Sequence, residues 1–144
     1  MITLYKFLKN TSAKLKIKDI KVKNPELILS IFNTPKMIID LQNHETNESK
    51  ISHIQIIGYT IKDFIIHDIP KLIQKGYNKT LLVKELTRFL IKSYGININT
   101  KLLKLTMIRT STGLLVIKIN YKDSIIEFIF NCEDEKLLQL IDKE

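Results

Sequence analysis

The part of the sequence that most constrains the fold is residues 78–144, which predicts one helix, three consecutive strands and a short closing helix, in that order. Asn78 is a favoured helix N-cap, and Gly95 stands where a helix C-terminus favours glycine. Between them, Leu82 and Leu86 begin an apolar series at the 3.6-residue period of an amphipathic helix. We therefore predict a helix between Asn78 and Gly95 with one apolar face.

Apolar and polar residues alternate with period two in three segments after this helix, which predicts half-buried strands. Short turns separate the segments, so the strands are predicted to pair in chain order. The acidic residues 133–135 favour a helix N-terminus, and Leu137 and Leu138 supply apolar positions for a closing helix. The strands and the turns between them are residues 103–109, 110–113, 114–121, 122–123 and 124–130.

Two isoleucine-rich segments upstream predict further strands. Residues 51–59 and 61–66 are rich in isoleucine, which favours strands, and residues 58–60 between them include a glycine. We interpret this region as a β-hairpin or a bent strand pair. Together with the three downstream strands, it predicts an α+β fold with a five-stranded antiparallel sheet packed against helices.

The chain length predicts one domain of residues 25–144, preceded by an extension of residues 1–24. Pro25 suits the first turn of a helix at the start of this domain. The helix should end or kink at Pro35. Residues 42–50 are polar and predict a loop.

A lysine-rich strand is predicted within the extension, because lysines alternate with apolar residues and the phase shifts at Asp19, as a β-bulge would require. This segment can bind phosphates or an acidic protein, or it can be an edge strand that lysines protect from aggregation. Interleaved aromatic residues are absent, so base stacking is not expected. The lysines are Lys14, Lys16, Lys18, Lys21 and Lys23.

The net charge of +8 is only weak evidence for an anionic partner such as a nucleic acid. Only Arg88 and Arg109 are arginines, whereas nucleic-acid recognition favours arginine for bidentate contacts. The abundant lysine, isoleucine and asparagine resemble the translation of an AT-rich genome. With no apolar run of about 20 residues, no signal peptide and a lone Cys132, the sequence predicts a cytoplasmic protein without membrane insertion.

The residues that most often carry chemistry form no motif. His44, His53 and His67 have no neighbours at metal-ligand spacing, and no glycine-rich phosphate-binding loop occurs. We predict no catalytic residue, no metal and no cofactor. An enzyme remains a third hypothesis, with Cys132 at a helix N-terminus as a nucleophile or His67 beside Asp68 as a base.

The predicted order of elements resembles the roadblock/LC7 family, which includes dynein light chains and MglB-like proteins. The most similar stretch is residues 103–141, where a strand, a turn with Gly113, the strand 114–119, a turn at 122–123 and a further strand lead into a helix. Residues 69–77 form a longer connection than the family layout implies. Profilin-like and longin-like domains share related layouts and are retained as alternatives.

The resemblance implies a non-enzymatic homodimer in which two sheets join edge to edge and the long helices pair alongside. Such a dimer would be a scaffold or regulator for a small GTPase or an adaptor complex. The implied interface residues are Leu103, Leu105, Met107 and Arg109 on the strand, and Lys84, Arg88 and Ile91 on the helix. The alternative is a small basic nucleic-acid-binding accessory protein, ribosomal or chromosomal, that uses residues 14–23.

Overall fold

The structure is a computed structural model, and it describes residues 15–32, 47–96 and 100–142. Within these ranges the chain forms four strands and five α-helices, with a single 3₁₀ turn at Thr100–Leu102. The strands are β1 (Leu15–Lys23), β2 (Leu103–Arg109), β3 (Leu114–Tyr121) and β4 (Ser124–Cys132). The helices are α1 (Glu26–Ile31), α2 (Asn47–His67), α3 (Ile69–Gln74), α4 (Lys79–Tyr94) and α5 (Glu135–Asp142).

The strands form one antiparallel sheet in the order β1-β4-β3-β2. The two hairpins predicted from the sequence are confirmed, with turns at residues 110–113 and 122–123. The α+β class, with an antiparallel sheet packed against helices, is also confirmed. The predicted number of strands is wrong, because the sheet of the described residues has four strands and not five.

The two strands predicted upstream are part of a single helix. Residues 51–66, which we interpreted as a hairpin, lie within α2. Ile54, Ile57, Ile61 and Ile65 recur three or four residues apart and are all buried. Isoleucine has a lower helix propensity than leucine by only a few tenths of a kcal/mol per residue, whereas burying each side chain contributes about 1.5–3 kcal/mol. The buried face therefore decides the structure of this segment.

Gly58 lies in the middle of α2, at a point where the helix packs closely against the sheet. A Cβ atom at this position would stand 2.9 Å from both Cδ1 and Cε1 of Phe128, and 3.1 Å from Cδ1 of Ile17. Phe128 belongs to β4 and is fully buried. Gly58 therefore permits close helix–sheet packing and does not form a turn.

The lysine-rich segment is a strand, as predicted, and it joins the sheet as an edge strand paired with β4. The register shifts between Ile17 and Asp19, which confirms the bulge and leaves Lys18 as the extra residue. The Asp19 carboxylate accepts a hydrogen bond from the Ile20 N–H at 2.8 Å.

The helix ends agree with the sequence signals. The Asn78 side chain accepts a hydrogen bond from the Leu81 N–H at 2.9 Å, and Gly95 closes α4 in the left-handed region at φ 58°. The helix α1 follows Pro25 and buries Ile28, whose N–H donates to the Ser124 hydroxyl at 3.3 Å. The predicted break at Pro35 lies outside the described residues.

Helices α1, α2, α4 and α5 contact the sheet, α3 packs against α2, and the buried side chains of the helices and of the inner face of the sheet form one core. The hydroxyl of Thr60 in α2 donates to the Ile56 carbonyl and accepts from the Tyr94 hydroxyl, both at 2.9 Å, so that α2 and α4 are joined. The sheet contributes to the core the residues Leu15, Leu103, Leu105, Met107, Leu115, Ile117, Ile119, Tyr121, Ile126, Phe128 and Phe130.

Candidate interaction surfaces

The outer face of the sheet, opposite the helices, has an apolar centre. Ile108, Val116 and Ile129 form one row across β2, β3 and β4, because they are register neighbours and point away from the core. Val116 is only 9% exposed, yet it does not belong to the main core, while Ile108 is 47% exposed. Among the described residues, no helix covers this row.

Lysines surround the apolar row. Lys21 and Lys118 lie on either side of Glu127 in one register row, and Lys23 lies on the same face at the edge. The outer face also presents Lys16 and Lys104. The fold thus brings lysines from β1, β2 and β3 together on this face. From the sequence alone, only the lysines of β1 were predicted to form a binding surface. Lys14 lies outside the described residues.

The predicted dimer strand β2 is the other edge of the sheet. The side chains of Leu103, Leu105 and Met107 are buried against the helices, and that of Arg109 is half-buried. A partner at this edge would therefore contact mainly backbone N–H and carbonyl groups. The Thr110 N–H donates to the Leu114 carbonyl at 2.9 Å. Alternation along an antiparallel pair then directs the backbone N–H groups of Leu105 and Met107 away from β3.

The predicted helical part of the interface lies on α4. Lys84 and Arg88 are exposed on it, and the Arg88 guanidinium lies 3.4 Å from the Glu85 carboxylate. Ile91 is half-buried and packs against the core. This face of α4 is therefore charged, with apolar area only at its margin.

An open groove lies between the edge of β1 and the N-terminal half of α2. Its volume is about 430 Å³, within the range typical of small-ligand sites. Val22 on the strand and Ile51 on the helix line it, and they are 48% and 54% exposed. The remaining lining residues are Ile17, Lys18, Asp19, Ile20, Ile54, Gln55 and Tyr59.

His53 is a buried polar residue beneath this part of the fold. Its side chain is 3% exposed, and Nε2 lies 2.9 Å from the carbonyl oxygen of Phe32. Since a carbonyl only accepts, Nε2 carries the proton and donates, and Nδ1 is bare and has no hydrogen-bond partner among the described residues. Burial lowers the pKa of His53 below its usual value, although the bond to Phe32 opposes this effect.

We expect His53 to make the protein less stable in mild acid. Because the pKa is lower in the folded than in the unfolded chain, the unfolded chain binds more protons below about pH 6.5, and stability falls as the pH decreases. The variant His53→Gln keeps a donor without the titration. Between pH 7 and pH 5, urea denaturation should show a larger loss of stability for the original chain than for His53→Gln, by up to about 1.4 kcal/mol per pH unit. Equal losses would contradict this role, and His67→Gln serves as the exposed control.

Cys132 does not have the environment of an activated nucleophile. Burial is the main cause that raises the pKa of its thiol, and the neighbouring acids Glu133, Asp134 and Glu135 raise this pKa further. A hydrogen bond from the Asp134 backbone has the opposite effect. A raised pKa leaves less thiolate at neutral pH.

His67 contacts the Asp63 carboxylate at 3.4 Å, one helical turn earlier, and both side chains are largely exposed.

Within the described ranges, no group of three or more His, Cys, Asp or Glu side chains is arranged to hold a metal ion. In the same part of the chain, no helix combines the length and the apolar character needed to cross a membrane. Comparisons with protein-family models, curated proteins and solved structures found no match. The roadblock/LC7 resemblance therefore stays a prediction from the sequence.

Proposed function

We propose that the protein is a non-enzymatic protein–protein interaction module that forms a homodimer through the free edge of β2. The observation that carries this proposal is the outward direction of the Leu105 and Met107 backbone groups at a sheet edge that no described strand pairs. Unpaired edge groups are a template for another strand. Two copies of β2 would join two sheets into one.

Side-chain charge favours this edge over β1 for self-association. If two copies of β2 pair antiparallel about a two-fold axis at Thr106, Lys104 of each copy faces Ile108 of the other. Like charges are then not opposed. Two copies of β1 would instead bring lysine-rich strands together, which is unfavourable.

The joined sheet would present a continuous outer face, with the rows of Val116 and of the surrounding lysines repeated in each subunit. On this proposal the outer face is the platform for a further protein, whereas the exposed Lys84 and Arg88 of α4 lie on the helix side of the sheet, where the long helices of the two subunits pair. A small GTPase or an adaptor is the partner class that the roadblock/LC7 resemblance implies.

We expect light scattering after size-exclusion chromatography to give about twice the 16.8 kDa mass of the chain at high protein concentration. Thr106→Lys should give a monomer, because it opposes two lysines at the two-fold axis. Thr112→Lys adds the same charge at an exposed turn and should remain dimeric. A mass of one chain for the unmodified protein at all concentrations would contradict the proposal.

Nucleic-acid binding is the second candidate function, and the clustering of lysines from three strands on the outer face favours it. Phosphate binding releases counterions, so affinity should fall steeply as salt rises. A gel-shift titration at two salt concentrations tests it, with Lys21→Gln and Lys23→Gln as variants. Retardation that is absent at low salt, or insensitive to salt and to both variants, would exclude this function.

A further inference from the structure

We propose that the groove between β1 and α2 is a docking site for an extended segment of another protein in which acidic and apolar residues alternate. The segment would add to the free edge of β1 as a further antiparallel or parallel strand. This proposal concerns the edge opposite to β2 and does not depend on homodimer formation.

The backbone of β1 is oriented to accept such a strand. In an antiparallel sheet, the backbone N–H and carbonyl groups of successive residues point alternately to the two neighbouring strands. The hydrogen bond between Thr110 and Leu114 fixes this direction for β2 and β3, and the strand registers then fix it for β4 and β1. As a result, the backbone groups of Ile20 and Val22 point away from β4. The Asp19 carboxylate holds the Ile20 N–H, so the Ile20 carbonyl and both backbone groups of Val22 are the ones offered to an added strand. No described strand pairs with this edge. The bulge at Lys18 limits the straight part of the edge to its second half.

The groove explains why the added segment should have apolar side chains. On a strand paired with β1, every second side chain would point to the helix side of the sheet. There it would enter the groove and contact Val22 and Ile51, the large apolar side chains that this region leaves about half exposed. Ile54, beneath them, is already buried and forms the floor.

The lysines explain why the intervening side chains should be acidic. The alternate side chains of the added strand would lie on the outer face, beside Lys21 and Lys23. Cross-strand neighbours of opposite charge stabilise a pair, and like charges oppose it. Asp19 is the acid on β1, and its carboxylate is engaged by the Ile20 N–H. The net charge offered along the edge is therefore positive.

The test uses a fluorescein-labelled peptide of about ten residues in which glutamate and valine alternate. Fluorescence anisotropy should show saturable binding that weakens as salt rises, because the charged part of the interaction is screened. NMR amide shifts should change mainly at Ile20, Val22 and Ile51. The variant Ile51→Ser should reduce the affinity about tenfold, since an apolar contact is lost.

Matched controls isolate each part of the proposal. Leu81→Ser removes an exposed leucine on α4 and should leave binding unchanged. A lysine–valine peptide tests the charge, and a glutamate–proline peptide tests backbone pairing, because proline lacks the N–H donor. The proposal is overturned if the glutamate–valine peptide does not bind, if either control peptide binds equally well, or if the shifts map to β2. The mass of the chain by light scattering separates this result from the homodimer.

Discussion

Replacing Thr60 with proline is expected to lower the free energy of unfolding by about 3 kcal/mol or more. The residue lies inside α2, where proline removes a main-chain hydrogen bond and clashes with the carbonyl four residues earlier. The lost hydroxyl bonds to Ile56 and Tyr94 add a smaller cost of about 1 kcal/mol each. Urea denaturation followed by circular dichroism would measure the change.

Two variants make the result specific to the helix. Thr60→Ala also loses the hydroxyl but keeps the helical backbone, so the difference between alanine and proline isolates the backbone effect. Ser111→Pro places proline in the turn whose Gly113 N–H donates to the Thr110 carbonyl, at the position where such turns favour proline. It should change stability by less than about 0.5 kcal/mol. If Thr60→Pro proves as mild as Ser111→Pro, residues 58–60 form a turn and α2 is contradicted.

Replacing Gly58 with alanine is expected to destabilise the protein by up to about 2 kcal/mol. Alanine favours a helix over glycine by about 1 kcal/mol, and that gain would make the variant more stable at an open site. Here the added methyl group would stand 2.9 Å from the Phe128 ring, and overpacking of this kind costs about 1–3 kcal/mol. Phe128 is fully buried, so its ring cannot move away cheaply. The steric effect should therefore exceed the gain in propensity.

A double-mutant cycle with Phe128→Leu tests the cause of this loss. The leucine variant loses stability by itself, but the cost of Gly58→Ala should become smaller in its presence, because leucine lacks the flat ring edge that the added methyl group would meet. Ser52→Ala, at an exposed position on the same helix, should change stability by no more than about 0.5 kcal/mol. An increase in stability for Gly58→Ala would contradict the close packing of α2 on β4.

The parts of the fold that the sequence predicted correctly are those with local signals. Asn78 and Gly95 mark both ends of α4, and the turns at residues 110–113 and 122–123 separate segments with clear period-two alternation. Each of these signals acts within a few residues. These features can therefore be predicted from the local sequence alone.

The failure at α2 has a physical cause. Local strand preference and helical spacing competed in residues 51–66, and Gly58 resembled a turn residue. The buried spacing of Ile54, Ile57 and Ile61 was the signal for a helix. Which preference wins depends on the sheet surface that receives this face, and that surface is assembled from residues far away in the sequence.

The candidate sites needed information that no local pattern contains. The lysines of β1 indicated an edge strand, but β1 pairs with β4, more than a hundred residues later, so its place in the sheet was not predictable from its own alternation. The alternation of β2 was correct, but which face the helices cover decides that Leu105 points into the core. The groove joins Val22 and Ile51 from separate elements, and neither residue alone indicates a site.

Residue-resolved amide hydrogen exchange at low and high protein concentration would test most directly the central claim that the two sheet edges serve different polypeptides. The amides of Leu105 and Met107 on β2 should become protected as concentration rises, because a second copy covers them. The Val22 amide on β1 should exchange fast at both concentrations and become protected only when the glutamate–valine peptide is added. Exchange that is concentration-independent at β2, or protection of β1 by concentration alone, would contradict the claim.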